Sequence, residues 1–285
     1  MCSNPLGDGG AGAGTSPGVL MGSQQASLVS PGTAAPPAHG IPDYRAARAE
    51  RNGKDFQRGL NFVALGIPLA FVFGLTPLLQ YMGWFLKSLF HEVGHSAIAI
   101  FAGHPALPKI SLSGHAMSAI AEPVWIMRIA VVVGTLGLIR AYLPPHGRIV
   151  AVAALAVVYP LLCWTGFGHF MILSGGHLGE LVAGAVCLWR CLDGEDCHHD
   201  AERAAYAMLG WYLVGQSVLL SFGLAFSQNA RLEYAANQSF GLTNDYIRLA
   251  DNVLGVSLES VGFVTGVVAL LVPLAVVGGH WRSQR

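Results

Sequence analysis

Two histidines four residues apart, with a glutamate between them, stand inside an otherwise apolar run: residues 90–103 read FHEVGHSAIAIFAG. On a helix His91 and His95 share a face, so their imidazoles can grip one ion. Glu92 is the neighbour that reaches a water at that ion. This HExxH spacing suits Zn²⁺, with two neutral nitrogens as ligands and a carboxylate to take the water's proton. Zinc lowers the pKa of such a water to about 7, so hydroxide is available at neutral pH. Gly94 leaves its side of the helix bare, which allows close approach of a substrate or a second helix.

The elements that must carry these residues are membrane helices. The chain has 285 residues, 53% of them hydrophobic and only 11% charged, and its mean hydropathy is +0.51. Soluble domains carry about a quarter charged residues, so the deficit marks an integral membrane protein. Net charge is zero and no basic run offers a nucleic-acid surface. An unpaired carboxylate at membrane depth costs at least about 2.5 kcal/mol, so Glu92 reads as functional or paired.

Residues 1–43 are Gly, Ala, Ser and Pro with little to bury, the composition of a disordered tail, and contain no apolar core of a cleaved signal peptide. Residues 44–58 carry five basic groups ahead of the first apolar run. The positive-inside rule keeps that end in the cytoplasm. The transmembrane domain then fills 59–285, with seven apolar segments expected at 59–82, 83–103, 123–143, 149–170, 177–193, 203–226 and 260–279. The fifth is short, since about 20 residues cross the hydrocarbon core. The fold class is therefore an all-α polytopic bundle of about six to seven transmembrane helices.

After the HExxH helix, residues 103–120 leave helical periodicity. In KISLS, Ile110 and Leu112 alternate with Lys109, Ser111 and Ser113, which predicts a short strand or hairpin at the membrane surface. A strand edge suits pairing with an extended peptide. A helical substrate must first unwind, because its backbone is internally bonded.

FHEVGHSAIAIFAGHPALPKISL resembles the opening of the site-2-protease family of intramembrane zinc metalloproteases, which place HExGH on a transmembrane helix and follow it with a strand of this kind. FMILSGGHLGEL (170–181) resembles the family's second motif, L-D-G-G-H, whose aspartate is the third zinc ligand. The resemblance covers about 60–193 and leaves 203–279 as additional C-terminal helices. It implies a zinc-dependent membrane endopeptidase in which His91 and His95 hold the metal and Glu92 is the catalytic base. Here the aspartate position holds Ser174, a poor zinc ligand. His177 or Glu180 then completes the site: the two are three apart at the expected start of a helix, after Gly175 and Gly176. His177 suits tetrahedral coordination if Glu180 orients a ligand from behind.

Other candidates rank lower. His169 reads as a packed histidine, His104 and His115 as surface residues, and CHHD (197–200) as a solvated loop. Cys187 and Cys191 share a helix face and read as packing, and Arg128 and Arg140 as snorkelling residues. The 227–258 connector lies on the membrane or covers the site, and its Asp245 is a ligand candidate ranked behind His177 and Glu180. The expected partners are the lipid bilayer and a transmembrane or membrane-adjacent peptide. The expected location is a bacterial-type inner membrane. Two other functions fit the same residues: a metal-ion transporter, or a non-catalytic relative that binds membrane partners.

Overall fold

The computed structural model describes residues 44–111, 116–194, 197–236 and 244–284. Nine α-helices, a two-stranded sheet and a π-turn make up these residues. Six helices are long and apolar enough to cross a membrane: Asp55–Leu75 within α1, then α3 (Trp125–Tyr142), α4 (Pro145–Trp164), α5 (Gly166–Asp193), α6 (Asp200–Phe226) and α9 (Leu258–Ser283). Large apolar side chains such as Phe71, Trp125, Ile149 and Leu274 stand exposed on their outer faces. This is the surface of a membrane-spanning bundle, which lipid covers.

The segment boundaries depart from the sequence expectation in ways that matter for the site. Helix α1 begins at Tyr44, so the basic stretch is its first turns, and it runs through Pro68 to Leu75. The break comes at Thr76, in extended conformation ahead of Pro77, because the residue before a proline is driven out of the α region. The second apolar segment is α2 (Pro77–Phe101), which has 25 residues but is diluted by Lys87, His91, Glu92 and His95 and is not among the six.

The short fifth segment is in fact the second half of a 28-residue helix, α5. Its true start is Thr165, whose hydroxyl caps the backbone N–H of Phe167 at 3.2 Å. Gly175 and Gly176 therefore lie in mid-helix and make no turn. They are tolerated there because α5 presses against α2 with no side chain between. A Cβ on Gly94 would lie 2.1 Å from the carbonyl oxygen of Gly175, and one on Gly179 2.3 Å from that of Phe90. Between membrane helices such close backbone packing replaces the hydrophobic effect as the source of association.

Helix α5 is the hub, packed against α1, α2, α4, α6 and α9. Half of its apolar stretch is buried and none of that of α3, which lies at the periphery. The predicted strand is a hairpin: β1 (Ala106–Ile110) pairs antiparallel with β2 (Ala116–Ile120), Lys109 opposite Met117. β1 begins earlier than the KISLS pattern suggested, and Leu112, Ser113 and His115 lie outside the described residues. Gly103, at φ +90°, turns the chain from α2 toward the hairpin, and a side chain there would also collide with Arg128. Arg128 itself donates to the carbonyls of Ala102 and Cys163.

After α6, the connector forms α7 (Gln228–Ala236), the four-residue α8 (Asp245–Arg248) and a π-turn (Leu249–Leu254). It does not lie apart from the bundle: Tyr246, Leu249 and Ala250 are buried against Leu173, Leu224 and Val261.

Candidate metal centre

The α2–α5 crossing fixes the two HExxH histidines. Gly176 faces them across the contact, and a Cβ there would lie 2.4 Å from His91 Nε2 and 2.5 Å from His95 Nε2. The space is shaped for the rings. His95 donates from Nδ1 to the carbonyl of Ile172 at 2.6 Å, and His91 donates from Nδ1 to Glu180 Oε1 at 2.7 Å. In their neutral forms both rings then carry their proton on Nδ1 and present a bare Nε2.

Those two Nε2 atoms lie 3.0 Å apart, and Asp245 Oδ2 lies 2.9 Å from each. Three lone-pair atoms thus converge from two parts of the chain that are 150 residues apart in sequence. Such a triangle repels itself unless a cation or proton sits among the atoms. A tetrahedral zinc with bonds of about 2.0–2.1 Å separates its ligands by roughly 3.3 Å, a few tenths of an ångström more than is found. The donor chemistry, two imidazoles and a carboxylate, fits zinc.

Charge supports the same fit. Glu180 and Asp245 bring two carboxylates to the histidines, and Lys87, 3.8 Å from Glu180, answers one of them. A cation held at the Nε2 atoms meets the charge of the other. Burial alone raises the Asp245 carboxyl, but when His91 and His95 are protonated at Nε2 their hydrogen bonds and charges overcome it and hold that group well below the usual carboxylate range.

The other sequence candidates fall around this triangle. Glu180, only 1% exposed, sits behind His91, and its other oxygen accepts from Ser217 at 2.8 Å. His177 packs edge-on to His91 with ring centroids 4.8 Å apart and stacks on Tyr246 at 4.0 Å. Its donors group with those of His91 and Asp245 within 4.8 Å, a looser set than the His91–His95–Asp245 triangle. Its Nδ1 lies 3.6 Å from Glu180 Oε1, beyond a good hydrogen bond, and its Nε2 has no hydrogen-bond partner among the described residues. Glu92 is buried, and Ser118 of β2 donates to its carboxylate at 2.6 Å and to its backbone carbonyl at 2.9 Å. Ser174 is half-buried on α5.

Asp245, ranked behind His177 and Glu180 on the sequence, is the carboxylate that the structure brings to both Nε2 atoms. The signal for it was weak: Asn244–Asp245 opens a stretch in which Tyr246, Leu249, Ala250 and Val253 recur at helical spacing. Of the remaining candidates, His169 is exposed rather than packed, His104 bonds the Ala121 carbonyl, and Asp200 pairs with Arg58. Cys187 and Cys191 are buried packing residues.

Compared with known protein families, with curated proteins and with solved structures, the chain matches none.

Proposed function

We propose that this protein is a membrane-embedded zinc metalloprotease that hydrolyses peptide bonds within or next to transmembrane segments. The observation that carries the reading is the triangle of His91 Nε2, His95 Nε2 and Asp245 Oδ2, with each imidazole oriented from behind by a hydrogen bond at Nδ1. In this reading Asp245 takes the place that Ser174 cannot fill. Glu180 orients His91, and His177 lines the site.

Zinc held there supplies Lewis acidity toward the scissile carbonyl and makes water acidic enough to attack at neutral pH. Glu92 takes a proton from the attacking water as its oxygen bonds to the carbonyl carbon. It then delivers that proton to the departing amide nitrogen as the C–N bond breaks. Ser118 holds the Glu92 carboxylate in one orientation and ties it to β2, so the base is joined to the hairpin. An extended substrate backbone pairing with the hairpin's edge then lies beside the base. The five basic residues of 44–58 support a cytoplasmic N-terminus, and the apolar spans suit a bacterial-type inner membrane.

A transport reading needs ionisable groups spread along a path through the bundle. Here His91, His95, Glu180 and Asp245 gather around one point, which favours chemistry over passage. The test is incubation of the zinc-loaded protein in detergent with a panel of transmembrane peptides, with products identified by mass spectrometry. Cleavage that disappears in Glu92→Gln while zinc is retained supports the proposal. Zinc-loaded wild type that cuts nothing Glu92→Gln leaves intact turns the reading to transport or partner binding.

A further inference from the structure

Asp245 opens a short helical run, the four residues of α8 continued directly by the six of the π-turn, which is too short to hold itself in place. The next residue explains its position. Tyr246 is 1% exposed, and its ring lies nearly parallel to that of His177, with centroids 4.0 Å apart and an interplanar angle of 18°. Its hydroxyl shares a hydrogen bond of 3.1 Å with Ser221 on α6, and Ser221 in turn accepts from Thr265 on α9 at 3.2 Å. Asn244, on the other side of Asp245, donates its amide to the Tyr234 carbonyl. Leu249 and Ala250 of the π-turn are buried, and Gly255, at φ +63°, ends the segment in a left-handed conformation.

We infer that Tyr246 is a positioning residue of the metal centre: the docking of its ring on His177 and of its hydroxyl on Ser221 delivers Asp245 to His91 and His95. Metal binding and docking of the 244–254 segment are then one coupled event. The coupling follows from linkage. A metal that needs Asp245 binds the docked segment better than the undocked one, so it stabilises docking, and docking raises metal affinity by the same factor. His177 gains an explanation too. Buried, with Nδ1 3.6 Å from Glu180 Oε1, it also serves as the face on which Tyr246 lands.

The inference rests on the metal reading above, and its test keeps the two apart. Zinc affinity of the full chain in detergent is measured by competition with a chromophoric chelator for wild type, Asp245→Asn, Tyr246→Phe and Tyr246→Leu. The expected loss for Tyr246→Leu is about 10–100-fold, the range for residues that orient metal ligands. Tyr246→Phe keeps the ring stack, loses one neutral hydrogen bond and weakens zinc by less than about tenfold. The Co²⁺ absorption spectrum of Tyr246→Leu is expected to match that of Asp245→Asn, which a loss of packing alone does not produce.

A second readout needs no variant at Tyr246. Zinc is expected to slow tryptic cleavage after Arg248 in wild type and to leave it unchanged in Asp245→Asn. Zinc affinity of Tyr246→Leu within twofold of wild type, with Asp245→Asn impaired, overturns this inference and leaves the metal reading standing. So does cleavage after Arg248 that ignores zinc in wild type. Wild type that binds no zinc overturns both.

Discussion

Glu180 Oε1 lies 2.7 Å from Nδ1 of His91, on the opposite side of the ring from the Nε2 that meets Asp245. One buried carboxylate thereby sets the tautomer of the imidazole and, in the proposed metal site, makes it a stronger ligand. Ser217 and Lys87 hold Glu180 in turn. Replacing Glu180 with Ala is expected to weaken zinc binding about 10–100-fold, with Glu180→Gln less affected because its amide oxygen still accepts from Nδ1. Chelator competition reads both. Equal affinity of all three proteins contradicts the role given to Glu180.

Gly176 leaves the volume that the two rings occupy. A methyl group there would lie 2.4 Å from His91 Nε2 and 2.5 Å from His95 Nε2, closer than any side-chain carbon packs. Gly176→Ala is therefore expected to bind less than half the zinc of wild type while still entering detergent micelles as a folded helical protein. Metal analysis beside circular dichroism distinguishes this from unfolding, and full zinc content in a folded Gly176→Ala speaks against the site.

Ser118 joins the hairpin to Glu92 through bonds of 2.6 and 2.9 Å. A hydrogen bond to a charged group contributes about 1.5–3 kcal/mol. Its loss is expected to lower peptide cleavage by at least about tenfold while zinc content stays at the wild-type level. Cleavage by Ser118→Ala at the wild-type rate indicates that Glu92 needs no support from β2.

The Arg58–Asp200 pair supplies a contrast. Its side chains are 55% and 56% exposed, though the contact is only 2.6 Å. Exposed ion pairs contribute about 0–1 kcal/mol, so Arg58→Ala is expected to leave the apparent melting temperature in detergent within about 2 °C and zinc affinity unchanged. A larger drop in melting temperature assigns this pair a structural weight its exposure does not suggest.

How much of this was legible in the sequence depends on the range of the forces involved. The HExxH spacing on a helix, the apolar spans and a hairpin after Gly103 are local patterns, and each was readable. The run of α5 through Gly175 and Gly176 was not, because those glycines are held helical by the face of α2 pressed against them. Glu180 as the orienter of His91 was within reach, since a buried glutamate three residues from His177 needed a partner. Asp245 was largely out of reach. Its place depends on Tyr246 meeting His177 and Ser221, contacts that span 69 and 25 residues and leave only a faint trace in the sequence.

Metal analysis of detergent-purified protein tests most directly whether His91, His95 and Asp245 converge on one ion. The prediction is one zinc per chain in wild type, lost in His91→Ala and strongly reduced in Asp245→Asn, with Ser174→Ala indistinguishable from wild type. A wild type without tightly held metal, or an Asp245→Asn that keeps its zinc at full affinity, would contradict it.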